Sequence, residues 1–414
     1  MMSRMTNLVR VAALGALVTF VACESNRDVL GPTTPTGGDI FRSYVAIGNS
    51  ITAGFQSNGI NDSTQRQSYA LLLARQMGTR YAYGSLNMPG CSPPIANTQT
   101  GALVGATTTP PPPCSLRAGA SVTDVLNNVA VPGARVLDPT SPTTVASNAL
   151  TTFILGGKTQ VQKALDAKPT FATIWIGNND VLQAGLSGIL VPTPALGQQG
   201  IISTPAQFQT SYDAMITQLT AGAPGIKGVL IAVAQVANLP SMSSGGLIAS
   251  SATIQAGISA AAGTPVTVLP NCTGSTALVN VPQLIGAIRA KTHPALISCG
   301  SAAPIAPPPV GDVFILDPAE QVTLSTTINA YNAYIKSKAD AIGFGFYDPN
   351  ILFAAKRATG EIPPFPNLAS PTATFGPFIS LDGVHPSGAA HLLIANEIIS
   401  VINAKYGTTL KPAQ

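Results

Sequence analysis

The stretch Tyr44-Val45-Ala46-Ile47-Gly48-Asn49-Ser50-Ile51-Thr52-Ala53-Gly54 decides how the rest of the chain is interpreted. It begins as an apolar run of the length of a buried strand and then breaks into Gly-Asn-Ser, which predicts a strand that ends in a tight turn. Glycines at 48 and 54 permit such a turn, and ligands usually bind at the carboxyl edge of an α/β sheet. The segment alone fits a structural turn equally well, so other parts of the chain must decide whether Ser50 is reactive.

Apolar strands and amphipathic helices alternate along the chain. Thr170–Ile176 predicts a second buried strand, which also ends in a polar turn. Helix starts are marked by a capping residue, a proline in the first turn and a capping-box partner at Thr204–Gln207 and at Asp317–Glu320. This alternation predicts an α/β fold of three layers, with a central parallel sheet between two layers of helices. Long loop insertions are expected at about 89–120 and at about 241–310, the second as a lid or a small subdomain.

The composition of the 414-residue chain excludes nucleic-acid binding. Its formal net charge is only +4, charged residues make up 9%, and no cluster of lysine and arginine provides an electrostatic footprint. The sequence contains no HExxH motif, no glycine-rich phosphate loop and no dinucleotide fingerprint, so neither a metal nor an organic cofactor is expected.

The N-terminus has the pattern of an export signal. Arg4 and Arg10 precede the short apolar run Val11–Ala22, which predicts a signal peptide over residues 1–22. The sequence that ends at Cys23 resembles the lipobox of bacterial lipoproteins, which implies a lipidated Cys23. A linker is then expected over residues 23–40 and a folded domain over residues 41–410. The protein is then expected to be anchored in the outer membrane, facing the periplasm or the cell surface. The alternative is a secreted protein cleaved near the same place.

Four further cysteines remain in the exported chain, and an oxidising compartment permits them to form disulfides. They are Cys91, Cys114, Cys272 and Cys299. Four cysteines allow three pairings, which the sequence cannot distinguish. The pairs Cys91–Cys114 and Cys272–Cys299 are favoured because each encloses a loop rich in proline, glycine and threonine.

A second segment with candidate catalytic residues, Leu381–Pro386, precedes the last predicted helix. An aspartate three residues before a histidine, with a glycine between them, can lie against one ring nitrogen and leave the other as a base for a serine. The chain has only two other histidines. His391 is interpreted as a packing or surface residue of the last helix, and His293 lies in the second insertion.

Four segments together resemble the SGNH, or GDSL-type, hydrolase family. In chain order they are Gly48–Ile51, Gly133, Gly177–Asp180 and Asp382–His385. The resemblance implies a flavodoxin-like sheet, and it makes Ser50 the nucleophile, His385 the general base and then acid, and Asp382 the residue that orients His385. It also implies an oxyanion hole formed by the main-chain N–H groups of Ser50 and Gly133 and the side-chain amide of Asn179.

The expected function is that of a serine esterase that cleaves lipidic or simple acyl esters through an acyl-enzyme. Its expected partners are an ester substrate, either a lipid or an acylated saccharide, and the membrane through the lipid anchor. Two alternatives remain: a carbohydrate O-acetylesterase, and a surface binding protein with weakened catalysis. The second rests on Asn49, which stands where the family usually has aspartate. Asp180 matches the family pattern and is expected to position the turn that presents Asn179.

Overall fold

The computed structural model describes residues 35, 37–105, 113–115, 125–142, 148–192, 201–300 and 313–414. The predicted signal peptide, Cys23 and most of the predicted linker lie outside these residues. Parts of both predicted insertions lie outside them as well.

Helices separate the successive strands of the central sheet along the described residues. The strands are β1 (Tyr44–Gly48), β2 (Phe171–Trp175), β3 (Val191–Pro192), β4 (Ile201–Ile202), β5 (Lys227–Ile231), β6 (Met242–Ser244), β7 (Thr267–Val268), β8 (Leu278–Asn280), β9 (Leu296–Ile297), β10 (Ile315–Leu316) and β11 (Gly345–Tyr347). The α-helices are α1 (Ser50–Ala53), α2 (Asp62–Gln65), α3 (Tyr69–Met77), α4 (Ala149–Leu155), α5 (Gln160–Asp166), α6 (Leu182–Ser187), α7 (Pro205–Gly222), α8 (Gly245–Ser250), α9 (Ala252–Ala262), α10 (Val281–Arg289), α11 (Pro318–Ile342), α12 (Pro349–Ala358) and α13 (Gly388–Tyr406). None of the described helices combines the length and apolar character needed to cross a lipid bilayer.

The central sheet is parallel, with strand order β1-β2-β5-β11. Beside β1, the main chain of Asn127–Val129 adds a single bridge, in which Ala46 donates to Asn127 and accepts from Val129. This segment therefore pairs with the sheet over only a few residues. The predicted α/β class with a parallel sheet is confirmed.

Side chains of β1 alternate between the two faces of the sheet, as the pleat requires. Val45 and Ile47 belong to a core built with residues of α7 and α11. Tyr44 and Ala46 belong to a second core built with residues of α3 and α13. Because both faces are covered by helices, all five residues of β1 are buried, and the carboxyl end of β1 opens between the two helical layers.

The second insertion forms a small subdomain with a core of its own. Strands β6, β8 and β10 make an antiparallel sheet, helices α8 to α10 pack beside it, and a disulfide joins Cys272 to Cys299. Its individual strands escape prediction because small residues and strands of two or three residues produce no clear periodicity. The subdomain reaches the predicted catalytic loop where Ser241 N–H donates to the Gly383 carbonyl at 3.3 Å.

Candidate active site

Ser50 lies at the first position of helix α1, directly beyond the end of β1. Asn49 caps this short helix, since its Oδ1 accepts from the Ile51 N–H at 3.1 Å, and Gly54 ends it with a left-handed φ of 90°. A Cβ atom at Gly48 would lie 2.7 Å from the Trp175 carbonyl oxygen, so only glycine fits between the ends of β1 and β2. Strand, turn and cap together fix the serine at the carboxyl edge of the sheet.

The aspartate and histidine of the second segment are held in a compact turn. Asp382 Oδ1 accepts from the main-chain N–H groups of Val384 at 2.9 Å and His385 at 2.8 Å. Gly383 takes a φ of 71°, and a Cβ there would lie 2.7 Å from the Phe375 ring. The glycine therefore allows the chain to fold back so that the carboxylate lies beside the imidazole.

The structure brings Ser50, His385 and Asp382 into one line of hydrogen bonds. His385 Nε2 lies 2.8 Å from Ser50 Oγ, and its Nδ1 lies 2.8 Å from Asp382 Oδ2. The side chains of His385 and Asp382 are only 13% and 10% exposed, and the Phe55 ring lies 4.9 Å from the imidazole. Burial raises the pKa of the Asp382 carboxyl, but attraction to His385 and the hydrogen bonds from His385 and Asn58 outweigh it and lower the pKa to about 2.

The predicted oxyanion donors lie on three different turns. Gly133 has a φ of 83°, and among the described residues no acceptor bonds its N–H. The Ser50 N–H belongs to the first helical turn, where amides have no acceptor within the helix. Asn179 Nδ2 donates to the Ala134 carbonyl at 2.8 Å, and because an amide nitrogen carries two hydrogens, one remains for a substrate oxygen.

The other two histidines have packing roles in the structure. His391 is fully buried, and its Nδ1 accepts from the Tyr69 N–H at 3.2 Å, at the start of α3. Burial and the nearby His385 lower its pKa to about 3. His293 lies in the subdomain, with Nδ1 at 2.7 Å from the Pro294 carbonyl. Within the described residues, no three histidine, cysteine, aspartate or glutamate side chains form a group that could hold a metal ion.

The sequence of residues 44–398 matches the family of GDSL-like lipases and acylhydrolases. The chain belongs to this family. No curated protein matches it. Solved structures that the chain matches include a mutant of Axe2, an acetyl-xylooligosaccharide esterase from Geobacillus, at 11% identity and a TM-score of 0.37 over 87% of this chain and 94% of that one. An extracellular lipase from Streptomyces rimosus matches at 13% identity and a TM-score of 0.35 over 88% and 99%.

Asp180 of this GDSL-family chain binds two other segments of the site. Its Oδ2 accepts from the Val136 N–H at 2.9 Å, and its Oδ1 accepts from the Ser203 hydroxyl at 2.6 Å. Burial raises its pKa to about 6, against the opposing effect of these hydrogen bonds and of Arg135. Asp180 therefore fastens the chain that follows Gly133, in addition to occupying the turn of Asn179.

The residue that departs from the GDSL pattern, Asn49, forms a hydrogen bond that an aspartate could not donate. Its Nδ2 donates to Asn178 Oδ1 at 3.2 Å, while its Oδ1 caps α1. Asn49 thus links the turn of Ser50 to the neighbouring turn, while the contact between Ser50 and His385 is in place.

Two contributors to the site are absent from the sequence interpretation. Asn148 Nδ2 donates to the Pro132 carbonyl at 2.9 Å and so supports the loop of Gly133. Asn58 donates its main-chain N–H to Asp382 Oδ2 at 2.8 Å. The only sequence signal for Asn148 is that asparagine favours a helix N-cap, the position it occupies before α4. A main-chain donor such as that of Asn58 has no sequence signal.

Proposed function

We propose that this protein is a serine esterase that hydrolyses lipidic or simple acyl esters through an acyl-enzyme intermediate. The observation that carries the proposal is the line of hydrogen bonds from Ser50 through His385 to Asp382, with 2.8 Å at each step. A serine hydroxyl is a weak nucleophile on its own, and it is activated by a base within hydrogen-bond reach that a third group orients. This chain supplies all three groups at the edge of its sheet.

Acylation begins when Ser50 Oγ attacks the ester carbonyl carbon and its proton passes to His385 Nε2. This transfer requires a neutral imidazole that carries its hydrogen on Nδ1. The ionised carboxylate of Asp382 favours that tautomer because it accepts the Nδ1 hydrogen. The ester C–O bond then breaks, and the alcohol leaves with the proton from Nε2. Water then attacks the acyl carbon and gives a proton to Nε2, and Nε2 returns this proton to Ser50 Oγ as the acyl–oxygen bond breaks and the acid is released.

The negative charge that develops on the carbonyl oxygen is stabilised by the N–H groups of Ser50 and Gly133 and by the free amide hydrogen of Asn179. Such donors act most strongly when they are already in place before the reaction. The bond from Asn179 to the Ala134 carbonyl supports this role, because it fixes the orientation of the amide. Removal of one donor typically lowers turnover by about a hundredfold to a thousandfold.

The contacts of Asn49 favour an active enzyme over a binding protein. Asn49 keeps the helix cap beneath Ser50 and adds a bond to Asn178. A binding protein would not need Ser50 to lie 2.8 Å from His385, whereas an enzyme of this type requires that contact. Carbohydrate O-acetylesterase activity uses the same chemistry on an acetyl group, and only substrate preference distinguishes it.

The proposed location is the outer membrane, with a lipid on Cys23. It is supported by the basic residues Arg4 and Arg10, the apolar run that follows them and the lipobox-like sequence at Cys23. The two disulfides agree with an exported protein, because such bonds persist in oxidising compartments.

The deciding experiment measures hydrolysis of p-nitrophenyl esters from acetate to palmitate by the purified mature protein, with Ser50→Ala as the control. We expect activity in the wild type that Ser50→Ala abolishes, with a circular dichroism spectrum that remains unchanged. A preference for medium or long chains supports a lipidic substrate, and activity confined to acetate supports the O-acetylesterase. Ester hydrolysis that survives in Ser50→Ala would refute the nucleophile assignment.

A further inference from the structure

A tight reverse turn follows helix α1 and lies beside Asp382, the aspartate of the proposed triad. Gln56 and Gly59 exchange main-chain hydrogen bonds of 2.8 and 3.0 Å, and the two central residues, Ser57 and Asn58, have φ angles of 54° and 59°. Positive φ at both central positions is the mark of a type I′ turn. Non-glycine residues rarely adopt this conformation, so its surroundings must hold it in place.

The turn contacts the acid of the proposed triad. The Asn58 N–H donates to Asp382 Oδ2, the same oxygen that accepts from His385 Nδ1, and both distances are 2.8 Å. The other oxygen, Oδ1, accepts from the Ser380 hydroxyl at 3.1 Å and from two main-chain N–H groups of its own turn. Each carboxylate oxygen is therefore restrained by a group outside the Asp382–His385 pair.

Ser380 joins the turn to the carboxylate. Its Oγ donates to Asp382 Oδ1 and at the same time accepts from the Ser57 N–H at 2.8 Å. In return, the Ser57 hydroxyl accepts from the Leu381 N–H at 3.1 Å. A hydroxyl can donate one bond and accept others, whereas alanine can do neither. Ser380 is only 6% exposed, so water does not readily replace its bonds.

The opposite side of the turn is bound to the loop that follows Cys91. The Ile95 N–H donates to the Ser57 carbonyl at 2.7 Å, and the Ser92 hydroxyl donates to the Asn58 carbonyl at 3.1 Å. The Cys91–Cys114 disulfide closes this loop. A continuous set of contacts therefore runs from the disulfide loop through the turn to the carboxylate.

We propose that Ser380 is a positioning residue for the catalytic triad: it ties Asp382 to the Ser57–Asn58 turn, which the Cys91–Cys114 loop holds from its other side. The proposal rests on the esterase function proposed above. Without the Ser380 hydroxyl, the carboxylate loses one restraint on Oδ1, and the turn loses the acceptor of its Ser57 N–H. The imidazole then spends less time in line with Ser50, which lowers kcat and leaves substrate binding, and hence KM, largely unchanged.

The first test compares Ser380→Ala with Ser380→Thr, which retains the hydroxyl, and with Ser68→Ala. Ser68 is also buried and caps α3, so its loss weakens the fold without contact to the triad. The readouts are kcat, KM and the rate at which a fluorophosphonate labels Ser50. For Ser380→Ala we expect kcat and the labelling rate to fall about tenfold or more, while KM stays within about twofold of the wild-type value. Ser380→Thr is expected to restore part of both rates. Ser68→Ala is expected to label at the wild-type rate.

The second test uses the two disulfides as a matched pair. Their cysteines are 23 and 27 residues apart, so removal of either bond relaxes the unfolded chain to a similar extent. Within the described residues, the loop closed by Cys91–Cys114 contacts the turn and the loop closed by Cys272–Cys299 does not. Below the unfolding transition of both variants, Cys91→Ala/Cys114→Ala is expected to label more slowly than Cys272→Ala/Cys299→Ala, which keeps the wild-type rate.

The outcomes separate this proposal from the proposed function. A wild-type protein that neither labels nor hydrolyses esters overturns both. A labelled wild type whose rate is matched by a folded Ser380→Ala overturns the positioning role alone. If Ser380→Ala does not fold, the comparison of the two disulfide variants decides, and equal labelling rates there also overturn it.

Discussion

The side chains of Asn49 and Asn178 are joined by a hydrogen bond of 3.2 Å between Asn49 Nδ2 and Asn178 Oδ1. Asn49 stands directly before Ser50, and Asn178 stands directly before Asn179. The bond therefore connects the turn of the proposed nucleophile with the turn of a proposed oxyanion-hole donor. An amide can reverse its donor and acceptor ends by rotation. This property allows the pair to tolerate a change of Asn49 that keeps an acceptor.

Asn49→Asp is therefore expected to retain both fold and activity. Its carboxylate still accepts from the Ile51 N–H, and the Asn178 amide can turn over to donate to it. Asn49→Ala is expected to lose the cap and about 1 kcal/mol of stability, together with part of the activity. Urea unfolding and ester hydrolysis measure both effects. An aspartate variant as impaired as the alanine variant would contradict the exchange of amide orientation.

Asp180 makes a pH-dependent contribution to stability. Its pKa is 3.8 in a model peptide and about 6 in the fold, so the fold favours the protonated form. The resulting stability is fully present below about pH 3.8 and is lost as the pH rises through 6. Asp180→Asn remains uncharged. Its free energy of unfolding, relative to that of the wild type, is therefore expected to increase by on the order of 3 kcal/mol between pH 4 and pH 7. Urea unfolding across this range measures the difference, and a constant difference would rule out the shifted carboxyl.

His391 destabilises the fold at acidic pH, whereas Asp180 destabilises it as the pH rises. The unfolded chain takes up this proton near pH 6.5 and the folded chain only near pH 3, because burial disfavours the imidazolium. Stability is therefore lost as the pH falls from about 6.5 towards 3, by up to about 5 kcal/mol. His391→Gln keeps an acceptor for the Tyr69 N–H and cannot titrate, so its stability should fall less on acidification. Unfolding of the two proteins at pH 7 and pH 4 provides the comparison, and parallel losses would contradict the prediction.

The proposed anchor has an independent test. Cys23→Ala removes the residue expected to carry the lipid and leaves the described domain untouched. The variant is expected in the soluble fraction after cell lysis, while the wild type sediments with membranes, because acyl chains supply most of the binding energy of such an anchor. Equal partitioning of the two proteins would count against lipidation.

Local chemistry explains which parts of the fold could be predicted. The caps at Thr204 and Asp317 and the apolar run of β1 are signals carried by consecutive residues, and the structure contains both capping boxes and the strand. The individual strands of the subdomain after Ser241 could not be predicted, because its alanine, glycine and serine residues fit helix, strand and loop alike.

The same distinction applies to the site. Asp382 and His385 are three residues apart, so their contact can be inferred from a short motif. The contact between Asn58 and Asp382 joins positions 324 residues apart through a main-chain atom, which no side-chain pattern records. The sequence therefore predicts the side chains of the proposed triad, but not the main-chain contacts that hold them in position.

The line from Ser50 to His385 also has a consequence for biosynthesis. The two residues are 335 positions apart, and His385 directly precedes α13, which packs beside α3 in the second core. A chain synthesised from its N-terminus therefore carries its nucleophile long before its base exists. Under the proposed mechanism, Ser50 has no base until the residues around His385 have been synthesised, so the proposed activity begins only when the C-terminal helix packs against the sheet.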